Sequence, residues 1–320
     1  MAIVRRGESG QPITARGSTT VNPTVLPAAL HILSALSGVK TRGGMADMSA
    51  YTLPSVRTEP SENLADYTWL IYGEKGIGKT SLAAQMDAKD QDGQRVLFCM
   101  YEPGAKGLRV YATPVITSWD QQKHIVSQLE ADPKAWNTLV IDPGNIAYKR
   151  CLDAVCRVKG IIHPGLQKDY GASWDAVNTE FQDLHSRVAA LGLSFVVIAH
   201  NTEKETERRN GTKFQRTAPV MSGATEEFYA GVVDLIAYYH YSGRWRFLMI
   251  RGDEDIQAKC RVDGHFITPN GEPVIRIPMG ESPQEAWLNI QQAFHNKQKE
   301  TWLDIEVTGI KKSRPKQKVK

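Results

Sequence analysis

Residues 68–81 read TWLIYGEKGIGKTS, and the fold turns on how this stretch is read. Trp69 to Tyr72 are apolar or aromatic and suit a buried strand. Gly73, Glu74, Lys75, Gly76, Ile77, Gly78, Lys79 and Thr80 then match the phosphate-loop spacing G-x-x-x-x-G-K-[ST], with Ser81 following. The residue types have a physical basis. Glycines let successive backbone N–H groups turn inward around a phosphate. The Lys79 ammonium can reach the β- and γ-phosphates, and the Thr80 hydroxyl can ligate Mg²⁺. A helix from Thr80 to about Ala88 would point its positive end at the anion. A strand before and a helix after separate such a loop from a chance glycine-rich turn. The stretch implies nucleotide binding at Gly73–Ser81, with ATP and Mg²⁺ as cofactors.

Around this stretch, from about Ala65, strand-like and helix-like patterns alternate, which argues for an α/β fold with a mainly parallel sheet flanked by helices. Strands are expected at Arg95–Met100, Thr138–Ile141 and Ser194–Ala199. Asp234–Tyr241 and Trp245–Ile250 flank Ser242-Gly243 as a C-terminal β-hairpin, and Val274–Ile277 reads as a late strand. Ser118 and Gln121 are spaced as a capping box for a helix to about Glu130. Trp174, Val177, Phe181, Leu184, Val188 and Leu191 make an apolar stripe, so Ser173 to about Leu191 reads as a core helix. Ser282 and Glu285 cap a last helix to about His295.

The expected organisation is a flexible N-terminal arm over 1–64 with a short apolar helix from Leu26 to Leu36, an ATPase domain over 65–296, and a basic tail over 297–320. Composition agrees with a globular chain: 41% of the 320 residues are hydrophobic and 23% charged. No apolar run is long enough to span a bilayer and the first residues lack a signal-peptide pattern, so no membrane association and a cytoplasmic location are expected. The four cysteines show no C-x-x-C pair and read as reduced thiols. Net charge is +4, but the last ten residues carry six positive charges, which leaves −2 for the rest. Any nucleic-acid affinity must come from local patches or the tail.

The remaining candidates lie at strand ends, where ligands bind in parallel sheets. Asp142 ends the apolar run Leu139-Val140-Ile141 and has the form of a Mg²⁺-orienting carboxylate, although a plain strand-end turn at Asp142-Pro143-Gly144 would look similar. The next residue is Pro143, so a carboxylate that activates water must come from elsewhere. Glu102, just after the second strand, is the candidate; its bland reading is a solvated turn residue. His200 ends the fourth strand and could sense the γ-phosphate, though a lone His is more often structural. From Asn201 to Gly223 the chain reads as a polar loop. Its Lys204, Arg208, Arg209, Lys213 and Arg216 surround Phe214, a pattern suited to single-stranded DNA and equally to a solvated loop. Lys149, Arg150, Arg157, Lys159 and Lys168 form a second basic region. For the γ-phosphate the motif offers only Lys79 plus Mg²⁺, so Lys259 and Arg261, two apart, are candidates to serve the γ-phosphate of an adjacent subunit.

The order of phosphate loop, Glu102, Asp142, His200, basic loop and Lys259-x-Arg261 resembles the core of RecA/RadA-type recombination ATPases. It is most similar to phage-encoded RecA-like ATPases that include single-strand-annealing recombination proteins, and Lys168-Asp169-Tyr170-Gly171 adds to that likeness. The resemblance covers roughly Ala65 to Pro278. It implies a RecA-like P-loop NTPase core, DNA-stimulated ATP hydrolysis, and single-stranded DNA as partner in phage recombination, repair or replication. It also implies assembly into a homo-oligomeric ring or filament and a phage single-strand-binding protein as a further partner. In those terms Lys79 holds phosphate, Thr80 and Asp142 hold Mg²⁺, Glu102 activates water, His200 is the sensor, and Lys259 and Arg261 act in trans. His200 stands where RecA itself commonly has Gln. A nucleotide-gated binding protein with little turnover, or another P-loop motor or kinase, are the alternative readings.

Overall fold

The computed structural model describes residues 53, 55–89 and 95–298. The expected apolar helix at Leu26–Leu36 and most of the expected basic tail lie outside these residues. At the centre of the sheet is β1 (Trp69–Gly73), whose five residues are all buried. It is paired in parallel on both edges, to β5 (Ser194–Glu207) and to β7 (Leu235–Ser242). Beyond β5 the sheet continues in parallel through β4 (Trp136–Asp142) and β2 (Arg95–Met100) to the short β3 (Tyr111–Ala112). Beyond β7 it turns antiparallel, through β8 (Trp245–Met249) and β10 (Arg276–Pro278). A short β9 (Lys259–Cys260) pairs with the start of β7.

Helices cover both faces, which is why β1 has no polar face. One face carries Trp69, Ile71, Phe98, Val140, Val196, Ile198 and Leu235, packed in one cluster with Leu82 of α1 (Lys79–Ala83). On the opposite face Leu70, Tyr72, Leu139, Ile141, Phe195 and Val197 meet α2 (Trp119–Ala131), α3 (Gly144–Lys159) and α4 (Ala172–Ala190). These alternating sets are the period of two expected of strands. Phe181 of α4 is the hub of the second cluster, with its ring within 6.0 Å of those of Trp119, Tyr148, His185, Phe228 and Tyr229.

The register of β1 against β7 is pinned just below the strands. Asp234 accepts from both the backbone N–H and the hydroxyl of Thr68, each at 2.8 Å, and returns its own N–H to Thr68 Oγ1 at 3.0 Å.

The structure departs from the sequence expectations at four places. The helix after the phosphate loop is α-helical for five residues and then tightens to a 3₁₀ helix over Ala84–Lys89. Asp142-Pro143-Gly144 does not end in a turn: Pro143 is the cap of α3, a 16-residue helix that sequence reading passed over. The polar loop at 201–223 is mostly a β-hairpin, because β5 runs on past His200 to Glu207 and folds back as β6 (Lys213–Pro219). After it comes α5 (Gly223–Val232), also unexpected, capped by Ser222. The last helix, α6 (Pro283–Phe294), begins at Ser282 as expected. No helix of the described residues is long and apolar enough to cross a membrane.

Phe181→Ala should cost about 3–5 kcal/mol, since it empties the aromatic centre of one face. Leu288→Ala, at a position 47% exposed on α6, should change stability by no more than about 0.5 kcal/mol. Urea unfolding midpoints of the two variants check the contrast.

Candidate nucleotide site

The carboxyl ends of β1, β2, β4 and β5 lie side by side, and pairing register decides which residues meet there. Gly73 of β1 stands opposite His200 of β5. Met100 of β2 stands opposite Asp142 of β4, and Tyr101 N–H continues that pairing to the Asp142 carbonyl at 2.7 Å. Glu102 therefore emerges one residue further on, above Asp142. Together with the phosphate loop these residues wall a cleft of about 430 Å³, lined by Gly76, Gly78, Lys79, Thr80, Glu102, Asp142 and His200 among others. Glu102, Asp142, His200, Lys79 and Thr80, drawn from three strand ends and one helix start, share one cavity.

Backbone and side chain shape the loop together. A Cβ on Gly73 would stand 2.0 Å from the Tyr239 carbonyl oxygen, so the approach of β1 to β7 admits no side chain there. Gly78, the cap of α1, has φ of 108°, in the region only glycine enters at low cost. Lys79 is buried, 6% exposed, and its ammonium donates to the carbonyls of Gly73 at 2.8 Å and Glu74 at 2.7 Å. Burial lowers its pKa to about 8, against the pull of Asp142 and Glu74.

The Thr80 hydroxyl donates to Asp142 Oδ2 at 2.6 Å. Burial raises the Asp142 pKa and Glu102 adds to the rise, while the Thr80 hydrogen bond and Lys79 oppose it. A hydroxyl and a carboxylate in contact, facing a phosphate-shaped loop, are an all-oxygen donor pair of the kind Mg²⁺ uses with substrate phosphates and water. Thr80 and Asp142 fit the ion for that reason; when bound, it would neutralise phosphate charge.

His200 Nε2 lies 4.0 Å from the Glu102 carboxylate, too far for a hydrogen bond, and the buried Nδ1 has no partner among the described residues. Burial first, then Lys79 and Lys75, lowers the His200 pKa below its ordinary 6.5, with Glu102 opposing. The shift favours the neutral ring, which keeps both a donor and an acceptor.

The other candidates fall elsewhere. On the hairpin, one face holds Glu203, Glu205 and Glu207, all exposed, while Lys204, Phe214 and Arg216 lie half-buried on the other. Lys204 pairs with Glu226, Arg208 pairs with Glu254 and stacks over Phe214, and Lys213 bonds Glu205 at 2.6 Å. The segment expected as a loop is thus a folded ribbon, and its face with Glu203, Glu205 and Glu207 is acidic. Only Arg209, in its turn, is exposed without an ion-pair partner among the described residues. Lys259 and Arg261 are not in the cleft. Lys259 donates to the Ala230 carbonyl at 2.5 Å and Arg261 to that of Gly231 at 2.6 Å, closing the end of α5. Sequence reading missed Arg246 on β8. Its guanidinium lies 3.9 Å from where a Gly78 Cβ would stand, with Nη2 on the Gly280 carbonyl at 3.0 Å. The loop therefore has, besides its own Lys75 and Lys79, a cation from elsewhere in the chain beside it. No motif signals Arg246; only the β7–β8 pairing brings it there.

A family model described as an AAA domain matches residues 65–262. The chain belongs to this family of AAA-type P-loop ATPases. No curated protein matches it. The matched stretch of the AAA domain runs from the entry to β1 past β9, so it contains the whole cleft and Arg246. Nucleotide binding and ATPase activity follow as the general property of this AAA family.

Lys79 gives the site a pH signature. A bound triphosphate favours the charged amine and raises its pKa above the free value of about 8. ATP affinity should be flat below about pH 8 and fall above it, by up to about tenfold per pH unit. Binding at pH 8.5 should take up part of a proton, read by calorimetry in buffers of different ionisation enthalpy. In the free protein the sign is opposite. The unfolded chain keeps the Lys79 proton up to 10.5 and the folded one releases it near 8. Lys79 therefore makes stability rise from pH 8 towards 10.5.

Proposed function

We propose that this AAA domain hydrolyses ATP in the cleft with Glu102 as the water-activating base, and that it does so as a RecA-like ATPase on single-stranded DNA in phage recombination, repair or replication. The observation that carries the hydrolytic reading is the place of Glu102. It lines the same cavity as Lys79, Thr80 and Asp142 rather than standing apart in a turn. In this reading Lys79 releases the Gly73 and Glu74 carbonyls and takes the phosphates. Asp142 and Thr80 hold Mg²⁺. Glu102 accepts the proton of the attacking water, and neutral His200 contacts a terminal phosphate oxygen.

His200 also offers a route outward. The strand that carries it continues without a break to Glu207 at the hairpin, so a shift at the phosphate end is carried along one backbone. The hairpin's cations are largely engaged, and the second basic region supports the DNA reading better. Arg157 and Lys159 at the end of α3, with Lys168 beyond it, are exposed and have no ion-pair partner among the described residues. Tyr170 beside them is fully exposed, and Val158 and Ile162 are 88% and 87% exposed. Separate cations with an open ring suit phosphate contact and base stacking. Ring or filament assembly, with Lys259 and Arg261 reaching a neighbour's nucleotide, belongs to the same reading.

Glu102→Gln keeps shape and hydrogen bonding but removes the base. It should bind ATP normally and lose turnover by about 10²-fold or more. Unchanged turnover would remove Glu102 from the chemistry. Assays with and without single-stranded DNA test the coupling. Replacing Arg157, Lys159 and Lys168 by Gln should weaken DNA binding and reduce its salt slope by about 0.7 per lost contact. Deleting 311–320 in parallel separates the tail's contribution; if only that deletion matters, the surface assignment is wrong.

A further inference from the structure

Glu62, His265 and His295 come from three distant segments and converge beside the entry to β1, at the end of the strand away from the phosphate loop. Tyr67, just ahead of β1, packs edge-on against Phe294 and places the segments together. His265 is held firmly. It is 5% exposed, its ring stacks on Phe294 with centroids 3.8 Å apart and planes 7° apart, and its Nδ1 lies 2.9 Å from the Phe294 carbonyl oxygen. A carbonyl only accepts, so the proton sits on Nδ1 and Nε2 keeps a bare lone pair. That lone pair faces the Glu62 carboxylate at 4.0 Å. His295 stands across from it, with ring centroids 6.3 Å apart, and one ligand atom from each of the three residues lies within 4.8 Å of the other two.

A lone pair facing a carboxylate calls for a positive charge between them. A proton serves two partners; a third ligand, His295, favours a metal ion. We propose that Glu62, His265 and His295 bind a divalent transition metal of the Zn²⁺ class, with solvent in a fourth position. Two imidazoles and one carboxylate suit that class better than Mg²⁺ or Ca²⁺, which take oxygen ligands. The backbone carbonyl behind Nδ1 is the outer support that metal-bound histidines commonly have. Around a tetrahedral ion the ligand atoms must close to roughly 3.3 Å. The two that move are the exposed ones: the Glu62 side chain is 84% exposed, and His295 is also on the surface.

The site is a clip rather than a centre of chemistry. Asn296 already ties the last helix to the loop of His265, bonding the Gly264 carbonyl at 2.9 Å and the Ile267 N–H at 2.8 Å. The metal adds the segment of Glu62 to that pair and so joins the entry of the domain to its last helix. Closing a loop that long restricts the unfolded chain most.

The test uses the full chain, stripped with chelator and titrated with Zn²⁺ alone, with Co²⁺ as the spectroscopic probe of tetrahedral coordination. One equivalent should bind, show tetrahedral Co²⁺ absorption and raise the thermal midpoint. His295→Ala and Glu62→Gln, both at exposed positions, should keep the fold by circular dichroism and weaken binding by about tenfold or more. His163→Ala, at an exposed histidine elsewhere, should bind like the parent. Absence of stoichiometric binding by the parent, or equal binding by all the variants, overturns the proposal. So does a Glu62→Gln variant that loses stability in acid while the parent binds no metal, which would assign the contact to a protonated His265.

Discussion

The close approach of β1 to β7 at Gly73 is the constraint on which the cleft depends. The glycine leaves the Tyr239 carbonyl no room for a Cβ, so the strand can run into the loop without parting the sheet. Gly73 is also the partner of His200 in register and an acceptor for the Lys79 ammonium. One residue without a side chain thus fixes the start of the loop, the position of its lysine, and which residue of β5 stands beside it. Asp234 on Thr68 holds the other end of the same strand pair.

Sequence alone reaches the sheet and most of the cleft, and the reason is local. The phosphate loop has a fixed spacing, and β2 and β4 each end an apolar run with a carboxylate close by. Ser118–Gln121 and Ser282–Glu285 show their caps in the letters. What was missed needs information that is not local. Helix α3 begins behind Pro143-Gly144, which reads as a turn when the helix that follows is judged from its first residues. Its buried side is made of small or polar-tipped residues, Ala147, Tyr148, Cys151 and Ala154, so the apolar stripe is faint. Arg246 is beside the loop only because β8 folds back on β7.

The hairpin is a different kind of error, because its signal was present. From Thr202 to Glu207 the letters alternate Thr, Glu, Lys, Glu, Thr, Glu, a period of two that marks a strand with two unlike faces. Counting cations along the segment hides this, since the alternation puts most of the acids on the solvent side and Lys204, Phe214 and Arg216 on the inner one. A half-buried cation needs a partner, and Glu226 supplies it to Lys204. Of the basic residues near Phe214, Lys204 and Arg216 therefore read as the inner face of a folded ribbon.

The charges of the cleft show how far it is prepared for its ligand. Lys79 is pushed towards its neutral form and Asp142 towards its protonated one, both chiefly by burial. Each shift is a free-energy cost of holding an unmatched charge out of water, and each is reversed by a partner of opposite sign: phosphate for Lys79, a cation for Asp142. Nucleotide and metal ion arriving together match both at once, whereas either alone leaves one unrelieved. Arg246 changes the remaining step. The case for cations supplied only by a neighbouring subunit rested on Lys79 being alone beside the phosphates. A guanidinium of the same chain next to Gly78 weakens that ground, and the carbonyls of Ala230 and Gly231 already occupy Lys259 and Arg261. A role for the two on another copy's nucleotide would require them to give up these carbonyls at the end of α5 first.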